Sequence, residues 1–110
     1  MAQDFERAAA TAVGTGETTL ITSNSDDAVI GIRVTNILTS AVTCDCYIDK
    51  TGSGTDYHIC KNLTIPPSSS VELIQGGAKI VMQNTDVLYI KSNTASALDV
   101  WVSYVDSIST

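Results

Sequence analysis

The chain has 110 residues, enough for one compact domain that folds around a single hydrophobic core without disulfides or metal. Hydrophobic residues make up 44% of it and charged residues 16%, a balance typical of a packed globular protein and not of a disordered one. Twelve acidic against six basic residues give a net charge of −6, with no cluster of Lys or Arg. We therefore expect neither nucleic acid nor a membrane among its partners.

Residues 1–14 stand apart from the strand pattern that follows and are assigned to an N-terminal arm, which leaves residues 15–110 as the domain. Good helix formers after early acidic residues allow a short helix, but so short a helix is marginal in water, and an extended arm is the alternative. The segment lacks the apolar stretch of a secretory signal, so we expect synthesis and retention in a cytoplasm.

Residues 17–106 form a succession of short runs rich in Val, Ile, Thr and Tyr, separated by clusters of Gly, Ser, Asn, Asp and Pro. This pattern is typical of an all-β fold. The clearest strand is residues 28–37, where Ile30, Ile32 and Val34 share one face with the period of two that a half-buried strand needs. We expect that face to contact the core.

Residues 43–49 and 56–61 are predicted to pair as a hairpin, because the connector at 50–55 contains the glycines of a tight loop. Pro66 and Pro67 follow, and neither can donate an amide hydrogen bond inside a central ladder. The chain is therefore expected to turn out of the sheet at this point.

Three further strands are predicted near residues 71–74, 78–82 and 86–91, before a final run at 98–105. The final run is apolar on both faces, so it is expected to be central or to lie at an interface. About seven or eight strands in so short a chain are best accommodated by a two-sheet antiparallel β-sandwich. Its connections can be those of a jelly roll or of an immunoglobulin-like fold.

One group of side chains has the composition of a zinc site, namely Cys44, Cys46, His58 and Cys60. Four such ligands match the number that zinc takes, but Cys-x-Cys on a straight strand sets its sulfurs side by side along one face. We therefore expect no metal, with the cysteines as small buried thiols and His58 at a strand surface.

Catalytic motifs do not emerge from the sequence. His58 is the single histidine, and neither a Gly-x-Ser-x-Gly elbow nor a phosphate-binding loop that opens a helix accompanies it. Asp26 and Asp27 lie in a polar segment and are expected to be solvated acids of a turn. We expect neither an enzyme nor a bound cofactor.

The final strand carries Trp101 and Tyr104, which could form a platform for stacking against sugars. Because aromatic residues make up only 5% of the chain, we expect Trp101 in the core instead. An exposed Trp101 would favour sugar binding.

A strand, a proline turn with serines, two strands and a hydrophobic final strand follow one another, over residues 63–73, 79–82, 86–90 and 98–106. From about Ile32 to the C-terminus, this order of segments resembles that of small virion structural proteins of tailed bacteriophages, including the capsid decoration or cement type. The resemblance covers about two thirds of the chain.

This resemblance implies a β-sandwich that oligomerises on the outside of a capsid, or at a neck or tail joint, without substrate or cofactor. Capsid axes favour trimers, so we expect a homotrimer that binds the major capsid protein or another virion protein. It would be made in the host cytoplasm and located in the virion. The expected partner-binding residues are Phe5, Arg7, Trp101 and Tyr104. The alternative function is a carbohydrate- or receptor-binding sandwich module of a phage tail or fibre.

Overall fold

The computed structural model describes residues 4–50, 54–74 and 78–107. Within these ranges the chain forms nine strands: β1 (Asp4–Val13), β2 (Thr18–Thr22), β3 (Asp27–Asn36), β4 (Val42–Asp49), β5 (Asp56–Ile65), β6 (Ser70–Glu72), β7 (Ile80–Met82), β8 (Val87–Ser92) and β9 (Leu98–Asp106). The all-β prediction is confirmed. None of the described segments forms a helix with the length and apolar character that crossing a bilayer requires.

The strands form two antiparallel sheets that pack face to face. The first sheet has the order β1-β9-β3-β6, with β7 also paired to β3, and the second has the order β2-β8-β4-β5. Strand β9 is therefore central, as the sequence predicted. The core between the sheets is built mainly from aliphatic side chains, the most deeply buried being Val29, Ile32, Val34, Ile65, Met82, Leu88, Ile90, Leu98 and Val102.

The pairing of strands decides between the two connections that the sequence left open. With β7 set aside, β1 pairs with β9, β2 with β8, β3 with β6 and β4 with β5. The first strand thus pairs with the last, and each following strand pairs with the next one in from the C-terminal end. This is the double Greek key of a jelly roll. The sandwich is therefore a jelly roll.

Strand β3 departs from the predicted alternation at its start. The pairing with β9 shifts register between Val29 and Gly31, so one extra residue lies in β3. The shift puts Val29 in the core at 0% exposure and leaves Ile30 37% exposed, while Ile32 and Val34 remain buried as expected. The prediction for Ile30 was wrong because a β-bulge reverses the side on which successive side chains point.

The N-terminal segment is extended and hydrogen-bonded into the sandwich, where it does not stand apart. Residues 4–13 form β1, which pairs along its length with β9, from Asp4 opposite Asp106 to Val13 opposite Leu98. The helical alternative is wrong, because the ladder of backbone pairing with β9 and the packing of small alanines against the core outweigh a weak local preference.

The turn at Pro66 and Pro67 leaves the sheet as predicted, and a buried asparagine holds it in place. Asn36, 0% exposed, donates from Nδ2 to the carbonyl oxygens of Ser40 at 2.9 Å, Ile65 at 3.0 Å and Pro66 at 3.2 Å. Its Oδ1 accepts from the amide of Leu38 at 2.9 Å. One side chain thereby ties the end of β3 to the end of β5.

Candidate functional site

The outer face of the first sheet carries an exposed tryptophan. Strand register places Trp101 of β9 between Ala9 of β1 and Arg33 of β3. Leu98, Val100 and Val102 of β9 are buried in the core, so Trp101 lies on the other side of the strand and is 51% exposed. The expectation of a core tryptophan was wrong, because strand alternation and not the scarcity of aromatic residues sets the side on which it lies.

Trp101 has a cation on one side and a cavity on the other. The guanidinium carbon of Arg7 lies 5.5 Å from the centre of the indole ring, within the range of a cation–π contact. A cavity of about 360 Å³ opens on the side of Trp101 toward Asp99, and Arg7 does not line it. The indole is therefore braced by Arg7 while the cavity side stays open to solvent.

The cavity joins this aromatic wall to hydrogen-bonding groups from three strands. Thr11 Oγ1 donates to Asp99 Oδ1 at 2.7 Å, and the amide of Ala12 donates to the same oxygen at 3.2 Å. Thr35 and Arg33 line the opposite wall, where Arg33 Nε is 3.8 Å from Glu72 Oε1. Asp99 thus has a fixed orientation, and the cavity offers both donors and acceptors beside an aromatic surface.

Apolar side chains extend the same face toward the other end of the sheet. Phe5 is opposite Val105 in register, Val105 is opposite Ala28, and Ala28 is opposite Val81. Two of these are large and strongly exposed, Phe5 at 82% and Val81 at 60%. Together with Trp101 they form what we call the outer apolar face, defined by Phe5, Val81 and Trp101. Exposed apolar surface gathered on one face is typical of a site for binding other proteins.

Three of the four predicted partner-binding residues share this face, and the fourth does not. Phe5, Arg7 and Trp101 lie on it. Tyr104 is opposite Glu6 and Val29 in register, on the side of β9 that packs against the core, and burial raises the pKa of its phenol. Sequence reasoning missed Asp99, although its alternation with Trp101 could have found it. Thr11 could not be found, since its strand was assigned to an arm.

The cysteines and the histidine lie on the second sheet, divided between its two sides. Cys44 and Cys46 are buried at 1% and 0% exposure, as expected, and Cys60 is partly exposed. His58 is exposed and its ring contacts Tyr47 with 5.1 Å between centroids. Across residues 4–50, 54–74 and 78–107 we find no group of three or more His, Cys, Asp or Glu side chains positioned to hold a metal ion.

Tyr47 is the centre of a polar and aromatic cluster that the sequence did not indicate. It is 2% exposed because His58, Tyr89 and Lys91 cover it on the outer side of the second sheet. Its hydroxyl donates to Glu17 Oε2 at 2.5 Å, and burial raises the pKa of Tyr47 well above its usual range. These contacts pin the segment before β2 to the sheet.

Asp27 is also buried, at 2% exposure, and the expectation of a solvated turn acid was wrong. Ser23 Oγ donates to Asp27 Oδ2 at 2.9 Å, and Ser25 Oγ lies 3.0 Å from Asp27 Oδ1 and 2.9 Å from Asp106 Oδ1. Burial and the neighbouring Asp106 carboxyl raise the pKa of Asp27, whereas the hydrogen bond from Asp27 lowers the pKa of Asp106. The two carboxyls therefore take up one proton as a pair.

Comparison with known proteins supports the fold. No protein-family model matches the chain, and no curated protein sequence does. A chain in the acidic stable capsid structure of Helicobacter pylori bacteriophage KHP30 is similar in structure, with a TM-score of 0.59 and 13% identity over 96% of this chain and 87% of that one. A chain in the crystal structure of the infectious bursal disease virus VP2 subviral particle gives a TM-score of 0.35 and 12% identity over 96% of this chain and 42% of that one. The first of these likenesses shows a shared fold, and the second is too weak to show one.

Proposed function

We propose that this protein is a structural, non-enzymatic component of a virus particle, and specifically a decoration or cement protein that stabilises a phage head. The observation that carries the proposal is the outer apolar face. Phe5, Val81 and Trp101 are exposed to water on one sheet, and burying these apolar side chains against another protein is favourable.

Two further points support the proposal. The chain with the shared fold belongs to a phage capsid structure, and that fold spans nearly all of both chains. Jelly rolls build viral capsids and also lectins, so the fold alone does not select one function. The position of the exposed apolar residues on one flat sheet face, instead of in a deep cleft, favours contact with a protein surface.

The partner is the major capsid protein or another virion protein, and the protein also associates with itself as a homotrimer. Capsid symmetry axes present equivalent surfaces in threes, so three copies that bind at such an axis gain affinity by acting together. Binding of this kind stabilises only the assembled head, which is the effect expected of a cement protein.

A sedimentation experiment tests the binding face. Heads assembled from the major capsid protein of the same genome are mixed with the purified protein and pelleted. We expect wild type to pellet with the heads and Trp101→Glu to stay in the supernatant, because the new charge would have to be desolvated in the contact. The matched control is Tyr57→Glu, since Tyr57 is 55% exposed and belongs to the second sheet.

Retention of binding by Trp101→Glu with loss in Tyr57→Glu would contradict this binding face, and no binding by wild type would contradict the cement function. Light scattering over a range of concentrations tests the trimer separately. A mass of three chains, free or after release from heads, is the expected result.

A second function is favoured by the exposure of Trp101 beside a cavity with polar walls. An aromatic ring flanked by Asp99, Thr35 and Arg33 is a combination that binds a sugar, the ring stacking on its apolar face and the polar groups meeting its hydroxyls. Trp101 is the single tryptophan, so its fluorescence reports the site directly. Saturable quenching by one of a panel of bacterial surface sugars, lost in Asp99→Ala, would favour a receptor-binding module over a cement protein.

A further inference from the structure

Two cysteine thiols are in contact across the hairpin of β4 and β5. The sulfur atoms of Cys44 and Cys60 are 3.8 Å apart, although Cys44 is opposite Leu63 in register and Cys60 is opposite Cys46. The register shifts in this stretch of the hairpin, where Asn62 has a positive φ of 53° and its amide donates to Asp45 Oδ1 at 2.7 Å. This bulge in β5 brings Cys60 toward Cys44.

The two thiols differ in access and in acidity. Cys44 is 1% exposed, whereas Cys60 is partly exposed at the edge strand of the sheet. The hydrogen bond from Cys44 lowers the pKa of Cys60, while that same bond and burial raise the pKa of Cys44. Cys60 is therefore the thiol that ionises first and meets a solute, and Cys44 is held against it.

We propose that Cys44 and Cys60 are a site of oxidative modification, which closes to an intramolecular disulfide when the protein meets a peroxide. The thiolate of Cys60 attacks one oxygen of hydrogen peroxide, so an S–O bond forms, the O–O bond breaks and hydroxide leaves to become water. The sulfur of Cys44 then attacks Cys60 Sγ, expelling the hydroxyl group as a second water with the proton of Cys44. Two thiols are oxidised and one peroxide is reduced to two waters.

Closure requires a small movement. The sulfur atoms must approach from 3.8 Å to about 2 Å, a distance that rotation of the two side chains can supply where the bulge already bends the strand. Cys46 is the competing partner, because it is opposite Cys60 in register. It is fully buried and burial raises the pKa of its thiol, so we infer that it stays reduced.

The pairing can be mapped without any substitution. The folded protein is treated with hydrogen peroxide, the peroxide is removed, and the chain is unfolded in the presence of an alkylating agent that caps the remaining thiols, including the buried Cys46. The chain is then cleaved before each aspartate. Because Asp45 separates Cys44 from Cys46, the three cysteines fall in different peptides, 27–44, 45–48 and 56–85. We expect a cross-link between 27–44 and 56–85, with 45–48 alkylated. The same treatment of urea-unfolded protein should give a mixture of all three pairings.

Substitutions provide a second measure of the same pairing. Cys46→Ala should form the cross-link at a rate within about twofold of wild type. Cys44→Ala lacks one of the two sulfurs, and its remaining pair, Cys46 and Cys60, should cross-link at least about tenfold more slowly, with circular dichroism confirming that both variants are folded. A cross-link between 45–48 and 56–85 in the folded wild type, oxidation of Cys60 to higher acids without cross-linking, or no reaction would each overturn the proposal. The result does not depend on the proposed function, since no capsid is needed.

Discussion

The bulge in β3 predicts that two isoleucines, two residues apart on one strand, differ sharply in their effect on stability. Ile32 is 0% exposed and lies opposite Val102 in the core. Truncation to alanine removes three carbon atoms worth about 0.8 kcal/mol each, and the cavity left between two sheets adds to this. We expect Ile32→Ala to lower the free energy of unfolding by about 3 to 4 kcal/mol.

Ile30 is 37% exposed, so its truncation leaves no enclosed cavity, and we expect a loss of about 1 kcal/mol. Urea unfolding followed by circular dichroism measures both variants, provided that the denaturant slope stays constant. Val29→Ala is the third member of the set and should also be costly, since Val29 is 0% exposed. If Ile30→Ala and Ile32→Ala cost the same within about 0.5 kcal/mol, the strand alternates without a bulge and the reasoning is wrong.

Three further changes test the polar contacts of the fold. Asn36→Ala should lower the free energy of unfolding in urea by about 2 to 4 kcal/mol, because it leaves buried carbonyls unpaired. The control is Asn93→Ala at an exposed position, which should lower it by less than about 1 kcal/mol. Equal losses would contradict the role of the buried amide. Burial and Asp106 raise the pKa of Asp27 above the ordinary 3.8 of an Asp side chain, so the folded state binds a proton at a pH where the unfolded chain has lost it. The free energy of unfolding should therefore rise as pH falls from neutral toward 3.8. Asp27→Asn should flatten that dependence, and an unchanged pH profile would refute the assignment. Tyr47→Phe removes one hydrogen bond from a side chain that stays packed, so the free energy of unfolding in urea should fall by about 1 kcal/mol. An unchanged free energy would mean that water in the unfolded chain satisfies the hydroxyl equally well.

Sequence reasoning identified the fold class because strand alternation and turn residues are local signals. The positions of β3 to β9, the hairpin of β4 and β5, the turn at Pro66 and the central place of β9 all followed from such signals, whereas β1 was taken for an arm. The jelly-roll pairing did not, because it depends on which distant strands meet. The bulge at Ile30 was also hidden, since an extra residue leaves no mark in a run of Val and Ile.

The candidate site was predicted only in part, because it too depends on which distant strands pair. Phe5, Arg7 and Trp101 were selected from the sequence and do share a face, but the face itself requires β1 to pair with β9. With the N-terminal segment treated as an arm, the hydrogen bond between Thr11 and Asp99 could not be predicted. Tyr104 was grouped with Trp101 as an aromatic, although residues three apart on a strand lie on opposite sides.

The pairing of the first strand with the last has a consequence for how the protein forms. Asp4 is opposite Asp106, so the ladder between β1 and β9 joins residues at nearly the greatest sequence separation that the chain allows. Loop closure over such a distance is entropically costly before any contact repays it, and proteins dominated by non-local pairing fold in milliseconds to seconds. During synthesis β1 must wait unpaired until β9 has left the ribosome. The low hydrophobicity of its alanines and the charges of Asp4, Glu6 and Arg7 suit a strand that stays exposed for that interval.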